Sequence, residues 1–284
     1  MIDRDIRWPG GSRIAVNFVL NLEEGAERSL RHGDDEREPT AEAVYELDVD
    51  ERDLIQESTF DFGARIGAPR VARLFRDAAV PLTVFASGRA VIAQPETVKT
   101  LTEMGCDFVG HGFRWEPHQG MTEEQERASI RRTVRAIEQH HGQRPRGWFT
   151  RPLPSLRTRR LLVEEGFEYD SDSLGDELPY RVSVSGGSHL VIPYTLDVND
   201  TRFWRGSMFT GEHWYRYARD AFDYLRWEST DRGAMLSVGL HGRIIGRPAR
   251  SGALQRFLEY VTGHDDVWLC RREDILDHWV SLEQ

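Results

Sequence analysis

Lysine and cysteine are nearly missing from this chain. Lys99 is the single lysine among 37 basic residues, and it falls in a helix-like segment with no catalytic residue near it in sequence. Schiff-base and most other lysine-dependent chemistry is therefore excluded. The two cysteines, Cys106 and Cys270, each lie in or beside a strand-like segment. Their spacing fits no metal motif, so we expect buried thiols rather than a disulfide or a metal site.

Long apolar runs and a net positive charge are missing as well. No segment approaches the roughly 18 apolar residues of a membrane span, and the first residues carry no apolar signal-peptide core. The formal net charge of −10 disfavours nucleic acid and anionic membranes as partners. With 39% hydrophobic and 30% charged residues, the composition is that of an ordinary soluble domain. We expect a cytoplasmic protein that acts on a small molecule.

The sequence also lacks a glycine-rich phosphate-binding loop after its first predicted strand. Strand-like and helix-like segments alternate along residues 1–284 without a linker or repeat, which predicts one α/β domain. Seven or eight such strands favour a closed (β/α) barrel over an open doubly wound sheet. An open sheet would normally bind phosphate after its first strand, whereas residues 21–25 carry two carboxylates there. Residues 27–57 are acidic and weakly periodic, which predicts an excursion or lid.

Polar residues at the ends of predicted strands are the candidate catalytic groups. Glu23 and Glu24 follow the first strand, and His111, Arg151 and His241 each follow a later one. Because the carboxyl ends of parallel strands meet at one edge, we expect these side chains to share a cleft. In a pair of neighbouring carboxylates, one group can act as a base while the other orients water or a partner. The histidines would supply acid or electrostatic partners, and arginine would bind a carbonyl oxygen.

Residues beside these strand ends predict the wall of a substrate pocket. The loop after His111 brings together two aromatic rings, a cation and a second imidazole, which are Phe113, Arg114, Trp115 and His118. Trp148 lies in the strand before Arg151, and Arg243 follows His241. Aromatic side chains with a few convergent charges are typical of a site for a small, flat, polar molecule.

Together these segments resemble the polysaccharide deacetylase (NodB-homology) superfamily, which folds as a distorted (β/α) barrel. The family motifs are a strand ending in Asp-Asp, a His-x₃-His loop, an Arg-Pro strand end and a late Leu-His. Their counterparts here are Glu23-Glu24, His111 with Trp115 at the second histidine position, Arg151-Pro152 and Leu240-His241. Within the superfamily the chain most resembles the metal-independent allantoinases of purine breakdown. The longest similar segments are residues 18–28, 80–85, 111–115, 169–172, 191–197 and 239–243.

The resemblance implies a homo-oligomeric hydrolase that cleaves a carbon–nitrogen bond in a cyclic amide or ureide without a cofactor. Trp115 would stack on the ring. Two departures from the allantoinase pattern, the turn at residues 150–156 and His118 in place of tyrosine, lie in the expected pocket wall. We therefore expect the preferred ring to differ from allantoin.

Two alternatives from other classes stay open. The first is a metal-dependent de-N-acetylase of sugars, with zinc or another divalent ion on Glu24, His111 and His118. Trp115 cannot ligate a metal, and the seven-residue spacing of the two histidines is weak as a metal motif. The second alternative is a catalytically inactive barrel that binds a ring ligand without turning it over.

Overall fold

The first strand, β1 (Ile14–Leu22), is central to the sheet, and all of its residues are buried. The computed structural model describes residues 6–39, 48–151, 153–205, 208, 210–229 and 233–283. Within these residues the later strands are β2 (Thr83–Ala86), β3 (Asp107–Gly110), β4 (Gly147–Trp148), β5 (Tyr169–Asp170), β6 (Tyr180–Val184), β7 (Gly187–Val191), β8 (Ala234–His241) and β9 (Val267–Cys270). Their order is β6-β7-β5-β4-β3-β2-β1-β8, and β9 also pairs with β1. The sequence of β1 is apolar along most of its length. This composition suits a central position, because both faces of the strand are covered.

Helices connect the strands. Within the same residues they are α1 (Leu54–Phe62), α2 (Ala68–Ala78), α3 (Gly88–Ala93), α4 (Pro95–Glu103), α5 (Glu123–His141), α6 (Thr158–Glu164), α7 (Arg202–Arg205), α8 (Gly211–Glu228), α9 (Gly242–Ile245), α10 (Pro248–Thr262) and α11 (Arg272–Leu282). A π-helical turn, Gly63–Gly67, joins α1 to α2. The predicted capping box of α5 is present, since Thr122 and Gln125 each accept a hydrogen bond from the other's backbone amide. The predicted distorted (β/α) barrel is confirmed; that residues 1–284 form one domain stays a prediction.

The barrel is distorted on the side of β6 and β7. These two strands form an antiparallel hairpin, while the other strand pairs are parallel in the part of the chain described. We expected one strand at residues 190–194 and a loop before it; the structure instead has β7 at Gly187–Val191 paired with β6. Alternating exposed side chains along β6 explain the error, because only one of its faces packs on the protein.

A single bridge closes the barrel on the far side of β8. Asn199 pairs with Gly239 in parallel register, and the Asp200 amide donates to the Gly239 carbonyl at 3.0 Å. A Cβ at Gly239 would lie 2.1 Å from the Tyr194 hydroxyl, so only glycine allows this approach. The bridge thereby places Asp200 beside the end of β8.

Residues 27–39 and 48–57 of the predicted excursion are described, and the first of these parts contacts the loop after β3. The Trp115 amide donates to the Ala26 carbonyl at 3.0 Å, and Arg114 forms an ion pair with Asp34. No residue of these two parts lines the cavity described below. Residues 40–47 lie outside the described residues, and that the whole segment is an excursion or lid stays a prediction.

Arg272, at the start of α11, is fully buried inside the barrel among neutral acceptors. Nη1 donates to Asn17 Oδ1 at 3.2 Å and to Ser237 Oγ at 3.1 Å. Nη2 donates to Ser171 Oγ at 2.9 Å and to the Pro193 carbonyl at 2.9 Å. We call Arg272 and these four partners the Arg272 cluster. It ties two strands and two loops to one side chain.

Both cysteines are free and buried, as the sequence predicts. Burial raises the pKa of Cys106 to about 12, so this thiol is not a nucleophile at neutral pH. Among the helices of the described residues, none has the length and apolar character needed to cross a bilayer.

Candidate active site

Glu23 lies at the centre of a buried charged group at the carboxyl end of the sheet. Its Oε1 atom accepts a hydrogen bond from Arg151 Nε at 3.0 Å and lies 3.1 Å from His111 Nε2. Its Oε2 atom lies 2.8 Å from Arg243 Nη2 and 3.6 Å from His241 Nε2. Each carboxylate oxygen therefore lies between one histidine and one arginine. We call these five residues the Glu23 cluster.

Parallel strands bring the cluster together. Glu23 follows β1, His111 follows β3, and His241 ends β8. Arg151 follows β4, and Arg243 lies in α9 directly after β8. The carboxyl ends of these neighbouring strands meet at one edge, where the sequence predicted a shared cleft. The structure groups four of the five residues chosen for this reason with Arg243, and within this group Glu23 contacts each of the other side chains.

The surrounding cations keep Glu23 ionised. Burial opposes ionisation, but the charges of Arg243, His241 and Arg151, with the hydrogen bond to His111, outweigh it. The pKa of Glu23 is therefore held well below its ordinary value. A carboxylate with so low a pKa is a weak proton acceptor, and it serves better as a fixed negative charge than as a base.

His111 has a hydrogen-bond acceptor at each ring nitrogen. Nδ1 lies 2.7 Å from the Phe149 carbonyl oxygen, so Nδ1 donates there. Nε2 lies 3.1 Å from Glu23, and a hydrogen bond in this contact requires a proton on Nε2 or on the carboxylate. Burial lowers the pKa of His111, while the bond to Glu23 opposes that change. The geometry thus has His111 and Glu23 sharing one proton.

His241 is oriented by a buried carboxylate, Asp200. Nδ1 of His241 lies 2.6 Å from Asp200 Oδ1, so in the neutral ring Nδ1 donates and Nε2 is left with its lone pair. Asp200 is itself fixed, because Oδ2 accepts from the backbone amides of His241 and Ile245 at 2.7 Å and 3.1 Å. This pairing aims the His241 Nε2 atom at the Glu23 cluster.

A cavity of about 750 Å³ opens from the Glu23 cluster, and all five cluster residues line it. Phe149 and Tyr194 form an aromatic wall, with the Phe149 ring stacked on His111 at 5.3 Å and an interplanar angle of 10°. Asp172 lines another side, where its oxygens accept from the Thr150 amide and hydroxyl, each at 2.6 Å. Burial raises the pKa of Asp172 to about 7, the charge of Asp170 adding to the rise.

Glu24 faces away from the cavity. Its Oε1 atom accepts from the Arg243 backbone amide at 3.0 Å and lies 3.3 Å from Arg243 Nη1. A Cβ added at Gly63 would lie 2.6 Å from this oxygen, so the side chain is packed against the π-helical turn. The prediction that Glu24 reaches the shared cleft is wrong, because neighbouring residues at a strand end point to opposite sides. Glu24 instead fixes Arg243 in place.

Phe113 and Arg114 were expected to bind substrate, but the structure places both outside the cavity. The Arg132 guanidinium lies 3.7 Å from the centre of the Phe113 ring. Arg114 Nη1 donates to Asp34 at 2.8 Å. The expectation failed because contacts with distant segments take up both side chains.

Trp115 is buried behind the Glu23 cluster rather than exposed to a ligand. The Arg151 and Arg243 guanidinium groups lie 3.9 Å and 4.9 Å from its ring. The Phe60 ring contacts it edge-on at 5.5 Å. The prediction that Trp115 stacks on a substrate ring is therefore corrected: its π face supports the two arginines.

His118 and Trp148 also lie outside the cavity lining. His118 Nδ1 lies 3.2 Å from Glu126 Oε1, and both side chains are buried. The Trp148 indole donates to Thr150 Oγ1 at 2.9 Å and packs in the helix layer. The prediction that Trp148 forms the pocket wall is wrong by one residue. Phe149 lines the cavity instead, because neighbouring side chains on a strand point to opposite sides.

The suggested metal ligands do not fit a divalent ion. Glu24 is bonded to Arg243, His118 to Glu126, and both nitrogens of His111 face protein acceptors. Two guanidinium groups flank Glu23, where a further cation would be repelled. In the described part of the chain, no group of three or more His, Cys, Asp or Glu side chains has metal-binding geometry.

The sequence reasoning did not select Phe149, Tyr194 and Asp172 of the cavity wall, or Asp200, which lies behind His241. The signal for Phe149 is its alternation with Trp148. Asp172 lies in the acidic segment 169–180, which the sequence predicts as a wall of the binding cleft without singling out this residue. Asp200 lies in a further segment of the family resemblance, 199–200, but nothing in its spacing assigns it a role. Pro152, part of the Arg-Pro motif, lies outside the described residues.

Comparisons with known proteins agree with this architecture. Residues 51–169 match the family model for polysaccharide deacetylase. A Schizosaccharomyces pombe protein assigned to the polysaccharide deacetylases is 36% identical over 96% of this chain and 92% of its own. The crystal structure of PuuE allantoinase is 44% identical, with a TM-score of 0.92 over 96% of this chain and 92% of that one. A Pseudomonas aeruginosa PAO1 structure assigned to the polysaccharide deacetylases is 46% identical, with a TM-score of 0.88 over the same shares.

The fold is thus the deacetylase (β/α) barrel, with a charged cavity at the carboxyl ends of its strands. The chain belongs to the polysaccharide deacetylase family and is a hydrolase of that family.

Proposed function

We propose that this protein hydrolyses a carbon–nitrogen bond in a cyclic amide or ureide without a metal ion. The observation that carries the proposal is the Glu23 cluster, in which one buried carboxylate is held by two arginines and two histidines at the end of a cavity. An aromatic wall beside these charges suits a flat ring with polar edges. The likeness to PuuE allantoinase, at 44% identity, supports the same class of substrate.

His241 is the proposed base. Asp200 accepts a hydrogen bond from Nδ1–H, so Nε2 of the neutral ring is free to accept a proton from water. Glu23 is less suited to this step, because its low pKa gives it little affinity for a proton. This choice departs from the expectation that Glu23 or Glu24 is the base. The carboxylate of Glu23 keeps His241 and the arginines in position instead.

Arg151 and Arg243 are the proposed electrostatic groups. As water attacks the carbonyl carbon, the carbonyl oxygen becomes an oxyanion, which a guanidinium group stabilises in a buried site. When the C–N bond breaks, the leaving nitrogen takes the proton that His111 and Glu23 share. The proton gained by His241 then replaces the one that His111 gave up, while the Glu23 carboxylate lies between the two rings, 3.6 Å from His241 Nε2 and 3.1 Å from His111 Nε2. The ring opens to a carboxylic acid, which loses its proton to solvent and can then bind to Arg151 as a carboxylate until it leaves.

A substrate panel tests the proposal. The purified protein would be treated with chelator, then assayed with hydantoins, cyclic imides, ureides and N-acetylated sugar oligomers. We expect ring-opened products from cyclic amides or ureides and no change on adding zinc. Turnover of acetylated oligomers alone, with activity restored by zinc, would support the metal-dependent deacetylase instead. Tight binding of rings without turnover would support an inactive binding barrel.

A further inference from the structure

Three exposed leucines surround the mouth of the active-site cavity. Leu153, Leu174 and Leu196 have 50%, 59% and 50% of their surface exposed, and all three line the cavity that holds Glu23. They come from three separate loops, after β4, β5 and β7. Pro154 lines the same part of the wall. We call the three leucines and Pro154 the leucine collar.

Isolated exposed leucines are common on protein surfaces and need no explanation. The three leucines of the collar differ from isolated ones, because three separate loops each place one leucine at the same opening. The cavity is consequently charged at its inner end and apolar at its mouth. A ligand that fills both parts must itself have a polar end and an apolar end.

The polar side chains near the collar already have partners within the protein. Arg202 donates to Asp197, Thr201 donates to Asn199, and Ser173 Oγ accepts from the Tyr180 hydroxyl. A polar tail placed at the mouth would lose hydration against the leucine side chains, and it would have to share these polar groups with their partners in the protein.

We infer that the natural substrate ring carries an apolar substituent, an alkyl or aryl group, which packs inside the leucine collar. This inference rests on the proposed function, because the ring is the group opened at the Glu23 cluster. It specifies the substrate further, since the polar ureido group of allantoin would face leucine instead of hydrogen-bonding groups. Each methylene buried in the collar contributes about 0.8 kcal/mol, so kcat/KM should rise about fourfold per added methylene.

The experiment uses a series of hydantoins that differ only at carbon 5, with hydrogen, methyl, propyl, benzyl or a ureido group. Each compound is tested for turnover and, by calorimetry, for binding to the full-length protein. The same series is run on a Leu174→Asn, Leu196→Asn double variant. Leu156→Asn is the matched control, because Leu156 is fully exposed on the same loop as Leu153 but does not line the cavity.

We expect kcat/KM to rise along the alkyl series in the wild type and the control, and the rise to disappear in the double variant. A flat series, or the ureido compound as the best substrate, overturns the collar inference and leaves the proposed function standing. Binding that strengthens along the series without turnover supports the collar and overturns the proposed function. Neither binding nor turnover of any ring overturns both.

A second measurement tests whether the collar is instead a contact between copies of the chain. The molar mass of wild type and double variant is compared by light scattering. We expect no difference. A lower mass in the double variant, with the alkyl series unchanged, overturns the inference.

Discussion

Two buried charged clusters in this barrel are organised in opposite ways. The Glu23 cluster contains one carboxylate and four basic side chains, and it faces the cavity. The Arg272 cluster contains one guanidinium surrounded by an amide, two hydroxyls and a carbonyl. Pro193 and Ser237 line the other large cavity of the described structure, but no member of the cluster lines the active-site cavity. The rings of Phe85 and Tyr194 lie between them, 5.6 Å and 5.9 Å from the Arg272 guanidinium.

The difference separates charge used for chemistry from charge used for structure. Neutral acceptors bind both terminal nitrogens of the Arg272 guanidinium, and Arg272 does not line the active-site cavity, so this cluster is not placed to contact a substrate. In the Glu23 cluster several basic groups share one anion, and they can redistribute their interactions when an oxyanion forms beside them. We therefore expect substitutions in the first cluster to change rate and those in the second to change stability.

The largest effect is expected for Glu23→Gln. The amide keeps the shape but removes the charge and the shared proton, so kcat/KM should fall by about 10³-fold. The measurement is the initial rate on the ring substrate found in the panel, with circular dichroism to establish folding. Glu24→Gln is the control and should lose at most about tenfold, because Glu24 acts only through Arg243. A greater loss for Glu24→Gln would show that the wrong carboxylate has been placed in the site.

Arg272→Met should reverse this pattern. The substitution leaves several buried acceptors without a donor, and the free energy of unfolding should fall by about 3 kcal/mol. Urea unfolding at a fixed temperature measures this, while kcat/KM of the folded variant should stay within about threefold of wild type. A variant of normal stability that had lost its activity would contradict the division between the clusters.

Two buried carboxyl groups allow the separation between catalytic and structural charges to be tested by changing the pH. Burial raises the pKa of Asp107, at the start of β3, and of Asp172, in the cavity wall, each to about 7. Between about pH 4 and pH 7 the folded state therefore holds a proton on each group that the unfolded chain has lost. Stability contributed by these groups falls as pH rises, by about 1.4 kcal/mol per unit for each.

Asp107→Asn and Asp172→Asn should each remove this dependence, so each variant gains stability relative to wild type as pH rises from 5 to 7. Only Asp172→Asn should also alter the pH profile of kcat/KM, because only Asp172 lines the active-site cavity. Unfolding curves and rates at several pH values measure both effects. A changed activity profile for Asp107→Asn would indicate that the two regions are coupled.

The smallest effect is expected for Tyr194→Phe, a substitution in the aromatic wall of the cavity. The Tyr194 hydroxyl accepts from Asn199 at 3.2 Å and contacts neither cluster's charged groups. Its loss should cost about 1 kcal/mol in unfolding free energy and change kcat/KM by less than about threefold. Denaturation and steady-state rates give both numbers. A loss of activity comparable to that of Glu23→Gln would show that the Tyr194 hydroxyl takes part in catalysis.

Much of the barrel could be predicted from the sequence because its strands are uniformly apolar and its helices carry clear boundary signals. The strand Ile14–Leu22 and the helix Ala68–Ala78 have the predicted bounds. Strand β6 was missed, since a strand with alternating exposure at the sheet edge is hard to distinguish from a loop.

The site was predictable where a residue's position on a strand end determines its direction. Glu23, His111 and His241 belong to this group. Side chains in longer loops depend on distant partners that no local pattern reveals, as the contact of Arg114 with Asp34 shows. Asp200 depends on a single bridge across the barrel, and its pairing with His241 follows only from the closed fold.

The lone lysine has a practical consequence. Lys99 is exposed on α4, a fully described helix that contributes no residue to the active-site cavity. Amine-reactive reagents should therefore attach to one side chain on the outer surface, apart from the chain's α-amino group. A fluorophore or solid support coupled there would hold the enzyme in a single orientation and leave the mouth of the cavity free.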